Sequence, residues 1–260
     1  MRLALGIRYA GGAYHGWQSQ PGGATVQDVL ETALSAFAGQ PLSALCAGRT
    51  DAGVHALNQV VHVETDIVRD AFSWVRGTNR YLPPDVAVQW CQPVDAGFHA
   101  RNSARGRRYA YLLLESPVRP SLDAGRVGWS VRPLDGDRMR EAATLLVGEH
   151  DFSAFRSAEC QAPTPVKTVR SIQISRRGDF WRFDFDANAF LHHMVRNIMG
   201  CLVAVGAGTR DAAWLREVLA ARNRSRAAPT FAAQGLYFVG PYYDARHGIP
   251  EPADHLLALP

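Results

Sequence analysis

Lysine is nearly missing from this chain. Of 28 lysine and arginine residues among 260, only Lys167 is a lysine, so any basic surface is built from arginine. A guanidinium fork fits phosphate oxygens and stacks on bases better than an ammonium does, although genome composition alone produces the same bias. The formal net charge is only +4, too small by itself to imply a polyanionic partner. Four cysteines, Cys46, Cys91, Cys160 and Cys201, are scattered without a CxxC pair, which excludes a zinc knuckle and a small disulfide framework and points to a reducing compartment. No stretch approaches the roughly 18 unbroken apolar residues of a membrane span. The first eight residues alternate and include Arg8, unlike the apolar run of a signal peptide. A soluble, cytoplasmic protein without membrane association is expected. Its length suits one large domain or two of about 100 to 150 residues.

What is present is concentrated first at residues 47–56, AGRTDAGVHA. Apolar residues 42–46 read as a strand entering this segment and 58–63 as a strand leaving it, so the polar cluster occupies a tight connection. Gly48 and Gly53 permit close backbone approach or unusual torsions there. Asp51 lies outside any run of like charge, which argues against a merely solvated face. Arg49 favours its anion, and a carboxyl with a reference pKa of about 3.9 is ionised near neutrality. It is a candidate nucleophile or base. His55 is better placed to orient a ligand or the loop than to complete a catalytic triad.

Residues 2–9 read as a strand, and Val26, Val29, Leu30, Ala33, Leu34 and Phe37 form the apolar stripe of a helix capped by Thr25 and Asp28 and stopped at Gly39. Strands at 42–47 and 58–64, a short helix at 71–77 and a strand at 86–91 complete a βαββαβ order. The second half offers strands at 107–115, 167–175, 180–186 and 236–239, with helices at 136–147, 188–205 and 211–221. The expected class is α+β, with two similar βαββαβ-like halves, 1–105 and 106–260, their sheets mainly antiparallel, helices on one face and a central cleft. Two long connections, 117–133 and 153–165, have lengths typical of functional loops. His150, Asp151, Phe152, Phe155 and Arg156 present aromatic and charged groups at the entrance to the second.

Arg196 lies in a helix whose positions 191, 195, 198, 202 and 205 are apolar, so this long cation needs a partner or an exit to solvent. Gly200, one turn later, leaves room for another segment. Tyr109 and Tyr111 alternate along one strand and share a face with Arg107, while Arg108 takes the other. Arg101, Arg105, Arg107 and Arg108 form a cluster without an intervening acid, and Arg222, Arg224 and Arg226 form another. His192 and His193 invite a metal, but neighbours on a helix point about 100° apart and no third ligand motif accompanies them. No metal site is expected.

Taken together, Asp51 in its segment, Gly11 with Gly16-Trp17-Gln18 and Gln20, Phe98-His99-Ala100-Arg101, Arg108-Tyr109-Ala110-Tyr111, Asp151-Phe152 with Phe155, His192 to Asn197, and Gly235-Leu236-Tyr237 resemble the tRNA pseudouridine synthase A family in its own order over about residues 6–240. Ala10 departs from the pattern, where an acid is common. The resemblance implies a pseudouridine synthase fold and a cofactor-free isomerisation of uridine at positions 38, 39 and 40 of the tRNA anticodon stem-loop. It implies a homodimer as well. It assigns catalysis to Asp51, Arg196 and Tyr109, with Arg196 paired to Asp51. Substrate binding falls to Arg49, His55, Phe98, Arg101, Arg105, Arg107, Arg108, Asp151, Phe152 and Leu236. Two other readings compete: a noncatalytic RNA-binding protein, in which an acid in a phosphate-attracting cleft is a liability, and a metal-dependent nuclease using Asp51 with Asp151.

Overall fold

The computed structural model describes residues 1–251. It is an α+β fold that divides into two compact units, Met1–Gly106 with the chain from Tyr237 onward, and Arg107–Leu236. The expected second half, 106–260, therefore loses its last strand to the first unit, and residues 252–260 lie outside the described residues.

The first unit begins with β1 (Arg2–Tyr9), α1 (Val26–Ala38), β2 (Leu45–Cys46), β3 (His55–Glu64), α2 (Ala71–Asn79) and β4 (Val86–Val94), the βαββαβ order that the apolar periodicity predicts. β1 lies between β3 and β4, antiparallel to both. Leu3, Leu5 and Ile7 face one side of the sheet and Ala4 the other, and all four are essentially inaccessible, so both faces are covered. The Ala4 side packs with Ala47, Val60, Phe98 and Ala100, against which Trp90, Tyr243 and Ile249 also lie. Thr25 caps α1 by accepting from the Asp28 N–H, and Gly39 closes it. β10 (Leu236–Tyr242) pairs in parallel with β3, Tyr237 opposite His55. This pairing draws the C-terminal strand back. A strand so distant in sequence carries no local sign of its partner.

The second unit contains β5 (Gly106–Glu115), β6 (Gly128–Ser130), α3 (Gly136–Thr144), β7 (Gly148–Asp151), β8 (Val166–Arg177), β9 (Phe180–Ala187), α4 (Met194–Gly206) and α5 (Ala212–Ala221). β5, β9, β8 and β7 form antiparallel ladders, and β6 adds to β5 in parallel. In β9, Trp181, Phe183, Phe185 and Ala187 are buried between less buried polar neighbours, the alternation of a sheet covered on one face. β6 and β7 are too short to leave a periodic signature, and β6 interrupts the 117–133 connection. α4 begins at Met194 instead of 188, because His193 takes a left-handed conformation at φ 62°. All four cysteines are free. Burial pushes the thiols of Cys46 and Cys201 up to about 11 and that of Cys91 to about 12. Among the described residues no helix is long and apolar enough to cross a membrane.

α4 is anchored by one polar side chain. Asn197 is fully buried; its Nδ2 donates to Phe155 O at 2.8 Å, and its Oδ1 accepts from Thr230 Oγ1 at 2.7 Å and Arg224 Nη2 at 3.1 Å. A Cβ at Gly200 would overlap the Pro229 carbonyl oxygen, so the segment after α5 runs directly along this helix. Replacing Asn197 with alanine strands the Phe155 carbonyl and takes one partner each from the half-buried Thr230 and Arg224, which keep their bond to one another. We expect a loss of about 2 to 3 kcal/mol, read as a lower denaturant midpoint at unchanged slope. A wild-type midpoint would show that the network contributes nothing.

Candidate active site

Asp51 sits half-buried in the connection between β2 and β3. Nothing regular holds this stretch, so its backbone groups require partners from elsewhere. They come from the loop after β1, from the segment itself and from β3. Trp17 N donates to Thr50 O at 3.0 Å, and Val54 N closes a turn onto Asp51 O at 3.1 Å. Gly11 N donates to His55 Nδ1 at 3.1 Å. The glycines of that loop are steric requirements: a Cβ at Gly11 would overlap Val54 O, and one at Gly16, at φ +87°, would lie 2.7 Å from Thr50 O. The Thr50 hydroxyl meets Tyr9 OH at 2.7 Å. On the incoming side, the Gln59 side chain brackets Gly48, accepting its N–H and donating to its carbonyl. Gly11, Gly16 and Trp17 thus form, together with residues 50–55, one unit of backbone structure.

His55 is the first residue of β3 and is 4 % exposed. Its Nδ1 is an acceptor, which places the proton of the neutral ring on Nε2, and the ring stacks on Tyr237 at 4.7 Å. Between the two expected roles, orienting the loop is the one supported by this geometry. Arg49 is exposed on the same connection. The loop after β1 is tied at its start by Asp85, whose carboxylate accepts from Tyr14 OH at 2.7 Å and whose carbonyl accepts from Ala10 N at 2.9 Å. Burial, and then this bond, push the Tyr14 phenol well above its usual range.

Residues 98–101 correct an expectation. Phe98 is completely buried against His62, Tyr243 and His247, so it is a core residue of this unit with no face for a nucleotide. Ala100 N donates to His62 Nδ1 at 3.2 Å, and His99 Nδ1 accepts from Arg101 N at 3.1 Å. Desolvation pushes the His62 imidazolium down to about 4, which keeps the ring an acceptor. The motif thereby builds the turn that leaves the Arg101 side chain exposed. Arg105 is exposed too, but it pairs with Asp244.

In the second unit, Arg196 is half-buried on the first turn of α4, and its Nε donates to Phe231 O at 2.9 Å while Phe231 N donates to Arg196 O at 3.1 Å. This exchange fixes the guanidinium plane. Tyr109 is half-buried and meets Phe190 edge-on at 5.1 Å. Tyr111 is fully buried and donates to Ala232 O at 2.8 Å. Arg107 lies opposite Ala187 and Arg108 opposite Asp186, with Arg107 Nη1 donating to Asn188 O at 3.2 Å.

Three further candidates lie in this unit. Phe152 is fully buried beside Phe155 and offers no surface to RNA. Asp151 accepts from Ser153 N at 2.9 Å, starting a 3-10 turn at Ser153–Phe155, and lies 3.4 Å from Arg222. Hydrogen bonds from Ser153 and the Arg222 charge hold its carboxyl below the usual range. Those commitments also weaken a metal-ligand role for Asp151 in a nuclease. Leu236 is 5 % exposed at the start of β10. His192 and His193 precede α4 instead of lying on it, and their rings are 4.1 Å apart, so the expected divergence by helical geometry does not apply to them.

Sequence reasoning missed Tyr9, Thr50, Asp85 and the Phe231 carbonyl. The first two flank or face the Asp51 segment, but only the turn that brings residue 9 to residue 50 reveals their bond.

Comparison with known proteins matches residues 7–102 and 142–244 to the tRNA pseudouridine synthase family. Asp51 and Arg196 lie inside those segments and Tyr109 between them. The tRNA pseudouridine synthase A of Methylibium petroleiphilum is 72 % identical over 251 residues, 96 % of each chain. That of Polaromonas naphthalenivorans is 65 % identical over 254 residues, again 96 % of each. That of Albidiferax ferrireducens is 60 % identical over 260 residues and covers both chains completely. Identity at this level, sustained from end to end, means that the chain belongs to the tRNA pseudouridine synthase A family.

Proposed function

We propose that this enzyme converts uridine to pseudouridine at positions 38, 39 and 40 of the tRNA anticodon stem-loop, with Asp51 starting the exchange. The observation that carries the reading is the half-buried Asp51 carboxylate, borne on a turn whose flanking carbonyls are both hydrogen-bonded. Such a turn fixes the backbone that carries the acid. A group that must meet a single carbon of the substrate benefits from that fixed placement.

The reaction breaks the bond between uracil N1 and ribose C1′ and makes one between C5 and C1′. N1 gains a proton and C5 loses one, so no net proton, electron or water is consumed, and no redox or phosphoryl-transfer group is required. Two routes satisfy this balance. Asp51 attacks C1′ and is displaced by C5 of the rotated base, or it removes a sugar proton to give a glycal-like intermediate and later returns it. Either route needs the nucleotide turned out of the stem, at a cost of a few kcal/mol. Tyr109 is assigned to stack on the uracil and to assist a proton transfer, and Arg196 to pair with Asp51.

Substrate attraction is assigned to Arg49, Arg101, Arg105, Arg107 and Arg108, with selection by stem shape, because base edges of an A-form duplex are poorly accessible. A homodimer acting in the cytoplasm is part of the same reading, which rests on family membership.

Three measurements test it. Asp51→Asn keeps the side-chain shape but removes the anion, so tRNA binding and folding persist while pseudouridine at 38–40 falls below detection; substantial turnover would defeat the role. Arg196→Lys keeps the charge but loses the Nε donor to Phe231 O, so the single-turnover rate drops about 100-fold at near-normal tRNA affinity. A near-normal rate would remove Arg196 from the chemistry. Finally, Arg107→Ala with Arg108→Ala should flatten the slope of log affinity against log salt by about one for each phosphate that these arginines neutralise in the wild type. An unchanged slope in the folded variant would reassign both arginines to the sheet.

A further inference from the structure

β1 changes register just before it ends. Against β3, Ile7 is opposite Gln59 but Tyr9 is opposite Ala56, and against β4 a second shift falls between Gly6 and Ile7. Irregularities of this kind re-aim the side chains beyond them. Here the residue beyond is Tyr9, 3 % exposed, with its ring 6.0 Å from that of Trp17 and its hydroxyl on Thr50 Oγ1. Space and burial in the core explain an aromatic ring at position 9. They do not explain the hydroxyl, which a phenylalanine would omit without changing the packing.

We propose that Tyr9 is a positioning residue for the isomerisation, acting through Thr50 to set where the Asp51 carboxylate stands. This rests on the reading of Asp51 as the reacting group. Thr50 is the residue bonded to the N–H side of Asp51. Its carbonyl is fixed by Trp17 N and the Asp51 carbonyl by Val54 N, so the backbone is bracketed, but one donor at Thr50 O still allows the peptide to rock about that bond. The buried Thr50 hydroxyl supplies a second point of attachment, and Tyr9 is its partner from the rigid end of a sheet strand. Without the phenol oxygen, Thr50 Oγ1 keeps its burial and loses that bond. The threonine side chain then gains by rotating toward another partner, and the adjacent Asp51 moves with it. Displacements well under the size of an atom suffice, since about 1 Å of misplacement costs roughly 100-fold in rate.

The test compares Tyr9→Phe, Thr50→Val, Thr50→Ser and the Tyr9→Phe/Thr50→Val double variant by single-turnover pseudouridine formation at saturating protein, with tRNA affinity and melting midpoint measured in parallel. Tyr9→Phe and Thr50→Val are each expected to lower the rate constant about 10- to 100-fold at unchanged tRNA affinity. The double variant should be no slower than the slower single one, because both remove one bond. Thr50→Ser keeps the hydroxyl and recovers most of the rate. Wild-type rates in Tyr9→Phe, additive losses in the double variant, failure of serine to rescue, or a loss confined to affinity would each overturn the proposal. A purely structural role would lower the midpoint and leave the rate constant of the folded fraction intact, which counts against it as well. Asp51→Asn in the same assay separates the two claims. If it retains turnover, the Asp51 reading fails; if it is inactive while Tyr9→Phe is normal, only the positioning role fails.

Discussion

The first unit depends on satisfying the backbone of an irregular segment. Residues 47–54 form neither a helix nor a full ladder, and buried peptide groups left unpaired are costly. Val54 N, Val60 O and the Gln59 side chain meet part of this need, and Trp17 N meets Thr50 O from a second irregular segment, the loop after β1, whose own requirements are met by Gly16, Gly11 and the Asp85 contacts. Each loop is the other's missing partner. The glycines follow from that: two backbones meeting without an intervening strand pair leave no room for Cβ atoms. Ala10 fits the same logic, because what the loop takes from that position is its N–H, bonded to Asp85 O, and a backbone donor does not depend on the side chain.

The second unit meets a related problem with side chains. The segment from about 227 to 235 runs past α4 and β5 without regular structure, and its polar groups are used by Arg196, Arg224, Asn197 and Tyr111. Leu112 N also donates to Gly235 O at 2.9 Å. Arg196 therefore does two things at once. Its Nε holds the returning chain, and that bond restricts the plane in which the rest of the guanidinium lies. A lysine is a poor substitute in such a place for reasons of shape before charge.

Legibility followed the range of the interaction. α1 announced itself through the spacing of Val26, Leu30, Ala33 and Leu34 with Thr25 and Gly39 at its ends, and β1 and β9 through burial of their apolar residues, all consequences of neighbours a few positions away. β6 and β7 did not, since their three and four residues hold no full period and owe their pairing to β5 and β8. α4 starts six residues later than its apolar spacing predicts, because a left-handed His193 obeys no propensity rule. In the site, composition of the segment singled out Asp51, while motif matching also swept in Phe98 and Phe152, whose aromatic character belongs to the core. A pattern of residues around a site does not distinguish those that face the substrate from those that build the wall behind it. Burial does.

The same distinction governs charge. Arginine is abundant enough to suggest a broadly basic protein, yet many of these cations already have an acid or a carbonyl. Arg105 is on Asp244, Arg170 on Asp186, Arg176 on Glu115, Arg222 beside Asp151, and Arg224 on Asn197 and Thr230. Two of the three arginines in the 222–226 cluster are thus part of the fold. An exposed pair contributes little stability in water, but it does lower the local potential that a phosphate would meet. The formal charge of +4 is for this reason a better guide to long-range attraction than the arginine count.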